Sequence, residues 1–283
     1  MNTVAIFGVG LIGGSFALAL REAGFSGRII GVSSPGTLAR ALELKVIDRG
    51  ASPEQAAREA DLVYLAQPIL RILDTLAELN AWVRPDALIT DAGSTKTAIV
   101  DRASAVLSRG QFLGGHPMAG RERRGVEAAE AGLFRGRPYV LTPRSPAELE
   151  RPNARELQDW IKKIGAVPIV LGPEEHDRIV AYTSHLPQLA ATALAALLEG
   201  RAEPNSGVFG PALVDSTRLA LSSFDIWGDI LATNRGAILE ALRSYIAKLE
   251  EFSREFEPAP MRAQFDRASK FAARLREAPE RTS

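Results

Sequence analysis

Apolar residues follow two different rhythms along this chain. In the first part, short apolar runs such as Thr3-Val4-Ala5-Ile6-Phe7, Ile29-Ile30-Gly31-Val32, Leu62-Val63-Tyr64-Leu65 and Ala87-Leu88-Ile89-Thr90 each end at a polar or glycine-rich break. Helix-like apolar spacing follows several of these breaks, over Phe16–Leu20 and at Ile69, Ile72, Leu73 and Leu76. Short continuous runs mark buried strands, and apolar positions three and four apart mark helices. Further strands are expected at Gln111–Gly115, 138–142 and 167–171, with a helix near 153–164. Strands alternating with helices predict a parallel, doubly wound α/β sheet.

From Gly172 onward strand signals vanish. Pro173-Glu174-Glu175 reads as a helix start, with Pro at the first position and acids in the first turn. A long apolar helix follows to Leu198, and the stretches 211–222, 226–252 and 259–277 also read as helical. The expected organisation is an α/β domain over residues 1–171 and an all-helical domain over 172–283.

The first strand runs directly into Gly8-Val9-Gly10-Leu11-Ile12-Gly13 and then into a helix. This is the G-x-G-x-x-G fingerprint in the context it requires, so the sheet is expected to be of the Rossmann type. The first glycine makes the tight turn, the second lets backbone approach a pyrophosphate, and the third lets helix and strand pack closely. Backbone N–H groups at the helix N-terminus, around Leu11 and Ile12, would hold the phosphate charge. At the end of the second strand, where an acidic residue would bind the ribose of NAD, the chain has Ser33 and Ser34, with Arg40 further on. These groups suit NADP or NAD, with NADP slightly favoured; alternatively the serines only make a turn and Arg40 sits on a solvated helix face. Ligands bind beyond the carboxyl ends of strands in such sheets, where Ser33, Gln67-Pro68, Asp91, Ser94 and His116 fall.

Composition narrows the function classes. The 283 residues carry 34 basic and 34 acidic side chains, so no nucleic-acid partner is indicated. Cysteine is absent, which excludes disulfides, thiolate zinc sites and a cysteine nucleophile, and no metal site is expected. No apolar run approaches the ~20 residues of a membrane span. The amino terminus reads as strand rather than leader, and a cytoplasmic protein with a small-molecule substrate is expected.

Histidine is scarce, at His116, His176 and His185 only. His116, at a strand's carboxyl end, is placed to accept a hydroxyl proton as hydride leaves a substrate, or is a structural loop histidine. Ser94 could bond the same hydroxyl, orient His116, or cap the helix that follows. Lys96 reads as a first-turn surface lysine, and His176 as a solvated first-turn residue without a role. In Ser184-His185-Leu186-Pro187-Gln188, polar groups and a proline interrupt an apolar helix, predicting a kink or irregular turn. Arg218 lies in an apolar helical segment and suits a carboxylate grip or an interface salt bridge. Trp227 reads as core, interface or ligand contact. The run Arg121-Glu122-Arg123-Arg124 reads as a solvated loop, close enough to His116 to attract an anion.

Several blocks together resemble the prephenate/arogenate dehydrogenase family of tyrosine biosynthesis: VAIFGVGLIGGSFALAL, DAGSTK, GHPMAG, EEHDRIVAYTSHLP and DSTRLA followed by IWGDI, in family order. The resemblance implies a nucleotide-binding domain followed by a helical domain that makes a homodimer. It implies that His116 is the catalytic histidine, that Ser94 assists it, and that Arg218 binds a substrate carboxylate. Ser184, His185 and Trp227 fall at positions near the substrate. Gln188 stands where many members have a second histidine, which bears on prephenate against arogenate, and Ser33 resembles members that use NADP. The implied reaction is oxidative decarboxylation of the cyclohexadienol. Two alternatives are another small-acid or imine dehydrogenase of the same architecture, and a cofactor-binding sensor without chemistry. The first would more often carry a catalytic lysine in the helical domain, and the SHLP stretch offers none.

Overall fold

The computed structural model describes residues 1–120, 123–201 and 207–277. Its strands are β1 (Thr3–Phe7), β2 (Arg28–Val32), β3 (Arg49–Gly50), β4 (Leu62–Leu65), β5 (Leu88–Asp91), β6 (Gln111–Pro117), β7 (Pro138–Thr142) and β8 (Val167–Val170). They form one sheet in the order β3-β2-β1-β4-β5-β6-β7-β8. Strand order therefore reverses between β1 and β4, the arrangement that opens a crevice at the strands' carboxyl ends. Every neighbouring pair is parallel except β6 and β7, which are antiparallel. The sheet is thus mostly rather than wholly parallel. A parallel step needs a crossover, usually a helix, whereas the described residues between β6 and β7 hold only the 3-10 turns Val126–Ala128 and Ala131–Phe134.

The other strands are joined through α1 (Leu11–Glu22), α2 (Pro35–Glu43), α3 (Pro53–Glu59), α4 (Ile69–Leu79), α5 (Thr97–Val106), α6 (Pro146–Leu149) and α7 (Pro152–Lys163). The residues of β1, β4 and β5 are all buried, as expected for strands covered on both faces. Phe16 of α1 stacks on Tyr64 of β4 with ring centroids 4.0 Å apart, which ties the first helix to the sheet. The β1–α1 turn needs its glycines. Gly8 has φ +94°, and a Cβ there would stand 2.4 Å from the Ala66 carbonyl oxygen. A Cβ on Gly13 would stand 2.1 Å from the Gly8 carbonyl oxygen, so only glycine lets α1 lie this close to β1.

Beyond Val170 the described residues contain no strand. They form α8 (Pro173–Val180), a π-helical turn (Ala181–His185), α9 (Leu186–Leu198), α10 (Pro211–Thr217), a 3-10 turn (Arg218–Leu221), α11 (Phe224–Thr233), α12 (Arg235–Arg254) and α13 (Pro258–Glu277). The irregular turn expected near Pro187 is the π turn just before it. Proline has no N–H and its ring crowds the carbonyl four residues back, and a widened turn accommodates both. The stretch expected as one helix over 226–252 is broken at Asn234, whose φ −124° and ψ 31° are not helical.

The chain separates into two compact units that do not follow a single cut. One comprises Met1–Asp177 together with Phe224–Thr233, and the other comprises the described residues of Arg178–Ser223 and those from Asn234 onward. Helix α11 thus belongs with the sheet, tied to it by the Leu70 N–H donating to Asp229 (3.1 Å) and by the Thr95 and Thr233 hydroxyls 2.7 Å apart.

Candidate active site

Two adjoining cavities lie where the strand order reverses. The larger, of about 630 Å³, is lined by Gly8 and Gly10 after β1, by Ser33, Ser34 and Thr37 after β2, and by Gln67 and Pro68 after β4. The smaller, of about 330 Å³, shares Gln67 and Pro68 and adds Ile12, Ser94, Arg124 and Asp229. Nothing lies within 4 Å of where a Gly10 Cβ would be, so backbone meets open space there. Gly10 is also the N-cap of α1, and no side chain caps that helix. A helix N-terminus with uncapped N–H groups, beside a glycine that leaves room for close approach, fits a dinucleotide pyrophosphate. Leu11, the first residue of α1, packs against the core.

The second-strand residues divide. Ser33 and Ser34 are on the cavity wall, and Ser34 also caps α2, accepting the Thr37 N–H at 3.4 Å. Arg40 is not among the lining residues; its guanidinium lies 2.8 Å from Glu43 and 3.6 Å from Glu127. Of the charged run after His116, Arg121 and Glu122 lie outside the described residues, while Arg124 lines the smaller cavity with Nη1 3.7 Å from Asp225.

The carboxyl end of β5 carries a buried ion pair that sequence reasoning missed. Register between β5 and β6 ends at Thr90 opposite Leu113. Past that point the Asp91 carboxylate accepts the Gly115 N–H at 3.1 Å, and the Lys96 ammonium donates to the Gly115 carbonyl at 2.6 Å. Lys96 also donates to the Asp91 carboxylate, and both side chains are fully buried. Burial pulls the Lys96 ammonium below its ordinary range, against the pull of Asp91, which holds its proton on. Lys96 is therefore no surface lysine. Its backbone sits at the N-cap of α5, so Ser94, two residues earlier, is not the capping residue.

That cap comes instead from Asp177, which accepts the N–H groups of Lys96 (2.7 Å) and Thr97 (2.9 Å). Burial raises the Asp177 carboxyl, but the His176 hydrogen bond and these backbone donors outweigh it and leave the group below its ordinary range. His176 is not solvated either. It is fully buried, its Nδ1 is 2.9 Å from Asp177 Oδ1, and its Nε2 is 2.8 Å from Nδ1 of His116. The available signal was helical spacing: His176, Asp177, Val180 and Ala181 form one buried stripe along α8 and the turn after it. His116, half-buried near the end of β6, thus has its backbone neighbour held by Asp91 and Lys96 and its ring held by His176.

Trp227, on α11, is half-buried, and Ile226 and Asp229 of the same helix line the smaller cavity. In the second unit, His185 closes the π turn and is buried, with Nδ1 3.4 Å from the Asn234 amide nitrogen. Ser184 is half-buried beside it. Gln188 is buried and donates to the Leu219 carbonyl at 2.8 Å and to the Thr192 hydroxyl at 3.2 Å. These bonds bring Gln188 to the 3-10 turn that begins with Arg218, whose side chain is exposed.

Comparison with known proteins extends over both parts of the chain. Residues 16–170 match the family model for the prephenate dehydrogenase nucleotide-binding domain, and residues 172–272 match that for the prephenate dehydrogenase dimerization domain. Prephenate dehydrogenase of Bacillus subtilis is 37% identical over 257 residues, covering 88% of this chain and 69% of that protein. The structure of prephenate dehydrogenase from A. aeolicus, in complex with hydroxyphenyl propionate and NAD+, matches with a TM-score of 0.87 at 30% identity, over 99% of each chain. Synechocystis arogenate dehydrogenase matches with a TM-score of 0.82 at 28% identity, over 96% of this chain and 99% of that one.

The buried pair yields a stability prediction. Lys96→Met leaves the Asp91 carboxylate buried without its cation, which is expected to cost about 3–5 kcal/mol in urea unfolding. A loss below about 1 kcal/mol, the scale of an exposed pair, would show that this pair does not hold the β5–β6 junction.

Proposed function

The chain belongs to the prephenate dehydrogenase family, and from that premise we propose that it oxidatively decarboxylates prephenate or arogenate in tyrosine biosynthesis. The observation that carries this reading is the match through both domains, residues 16–170 and 172–272. A nucleotide-binding domain alone would fit many dehydrogenases. The helical second domain ties this one to a substrate class and separates it from the other small-acid and imine dehydrogenases.

When bound, the nicotinamide supplies the hydride acceptor. His116 is assigned the general base: its ring takes the proton of the 4-hydroxyl as hydride leaves C4. The carbonyl so formed draws in the electron pair released when the ring carboxylate leaves as CO2, the ring becomes aromatic, and the resulting phenolate oxygen takes the proton back from His116. Aromatisation makes the step strongly downhill. Ser94, on the wall of the smaller cavity, is assigned a hydrogen bond to the same hydroxyl. Arg218 is assigned the grip on a substrate carboxylate, and Ser184, His185, Gln188 and Trp227 the remaining substrate contacts; these five rest on the family resemblance.

The cofactor is proposed to be NADP in preference to NAD, with both accepted. Ser33, Ser34 and Thr37 put hydroxyls on the cavity wall, and no carboxylate follows β2 to repel a 2′-phosphate. Arg40 adds little support, because Glu43 and Glu127 already engage it. The protein is proposed to be a homodimer, which the dimerization-domain match and the exposed Leu249, Phe265, Phe271 and Leu275 of α12 and α13 support.

Absorbance of the reduced nicotinamide tests the reading in four assays: prephenate or arogenate, each with NAD or NADP. Turnover of arogenate with NADP is expected. Turnover of prephenate with NAD alone would keep the reaction and remove the readings placed on Ser33 and Gln188. Silence in all four, from folded protein that binds dinucleotide, would overturn the proposed function. Sedimentation velocity at micromolar protein is expected to show a dimer, and a monomer would remove that assignment.

A further inference from the structure

We propose that His176 is a positioning residue for His116, fixing its ring orientation and the tautomer whose lone pair lies on Nε2. The inference deepens the reading above and rests on the assignment of His116 as proton acceptor.

Asp177 is the fixed point. Its carboxylate is anchored by two N–H groups at the start of α5, Lys96 at 2.7 Å and Thr97 at 2.9 Å, so its place is set by main chain. Its hydrogen bonds favour the ionised form. An ionised carboxylate can only accept, so the 2.9 Å bond to His176 is donated by the Nδ1–H of the imidazole. A neutral imidazole has one such hydrogen, and the lone pair of His176 therefore falls on Nε2. That nitrogen faces His116 Nδ1 at 2.8 Å. Two lone pairs cannot face each other at that distance, so His116 Nδ1 carries the hydrogen and donates it. The His116 lone pair then falls on Nε2, the nitrogen assigned to take the substrate proton.

Order thus passes from a main-chain-anchored carboxylate, through one buried imidazole, to the tautomer of a second. The general logic is that of a base oriented by a third group. The same chain also favours the product of proton transfer. Once Nε2 of His116 is protonated, its Nδ1–H becomes a charge-assisted donor to His176, and Asp177 lies one ring beyond. The backbone of the His116 segment is referenced to the same place, because Asp91 and Lys96 hold both main-chain groups of Gly115. Side chain and main chain of His116 are therefore both indexed to the β5–α5 connection.

Two substitutions separate positioning from mere support. His176→Gln places an amide where ring Nε2 stands and can still pair with His116. His176→Asn places an amide where Nδ1 stands and can still pair with Asp177. The proposal expects His176→Asn to lower kcat roughly 10- to 100-fold, part of the 10²–10⁴ that a positioned base supplies. Substrate KM and dinucleotide Kd are expected to stay at parental values, and His176→Gln to recover most of the lost kcat. Glutamine no better than asparagine, or parental kcat in both, would overturn the proposal.

A measurement on the unaltered protein keeps the proposal open to refutation if neither variant folds. With only three histidines, nitrogen-15 NMR of the histidine-labelled chain reads each tautomer directly. His116 is assigned by the signal missing in His116→Asn. The expected result is hydrogen on Nδ1 of both His116 and His176, and hydrogen on Nε2 of His116 would contradict the relay. Absence of turnover on prephenate and arogenate would fail the proposed function alone, since the tautomers are read without substrate.

Discussion

At the carboxyl end of β5 the sheet stops supplying hydrogen bonds to β6, and a buried carboxylate and ammonium supply them instead. Asp91 and Lys96 hold the N–H and C=O of Gly115, the residue before His116. An ion pair withdrawn from water is costly unless its geometry is good and its remaining hydrogen-bonding capacity is used. Here that capacity is spent on backbone: Asp91 also accepts the Gly93 N–H at 2.8 Å. The desolvation of the pair is thus offset by bonds that place one strand end, and removing either partner leaves the other charge buried and uncompensated. β6 must leave its parallel partner and join β7 in the opposite sense, and the pair fixes where that departure happens.

The reversal of strand order between β1 and β4 does the complementary work on the cofactor side. It opens the crevice into which Gly10, the uncapped start of α1 and the serines after β2 all face. The smaller cavity continues it past Ile12 to Ser94 and the α11 residues. The first unit therefore carries the dinucleotide crevice and the proposed base as parts of one rigid sheet. Its neighbouring helix α11 comes from a stretch far along the chain, bound by hydrogen bonds to α4 and to Thr95.

Much of this was legible in the sequence. The glycine turn could be read because each glycine answers a steric demand that no other residue meets, and the structure places Gly8 and Gly13 under those demands. The buried strands were visible as apolar runs. The two-residue β3 had no run to see, and the reversed sense of β7 left no trace because apolar spacing carries no direction. Lys96 and His176 were misread for a shared reason. Charge and a place in a helix's first turn argue for solvent, and only a partner argues otherwise. Those partners are close in sequence, Asp91 at the end of the strand before Lys96 and Asp177 next to His176, but their spacing does not show that the chain folds them together. The helix break at Asn234 had a local signal in Thr233, Asn234 and Gly236, all poor helix formers, which the apolar spacing on either side masked.

The most direct test of this account is a single comparison of His116→Ala with the parent protein. Turnover and dinucleotide affinity would be measured on the same preparations. In the variant kcat is expected to fall by roughly 10²–10⁴, the usual contribution of a general base. The Kd for the dinucleotide is expected to stay unchanged, because His116 lines neither crevice cavity. Parental turnover in the variant would contradict the account at its centre. It would mean that the β5–β6 junction holds a histidine in place for some reason other than proton transfer.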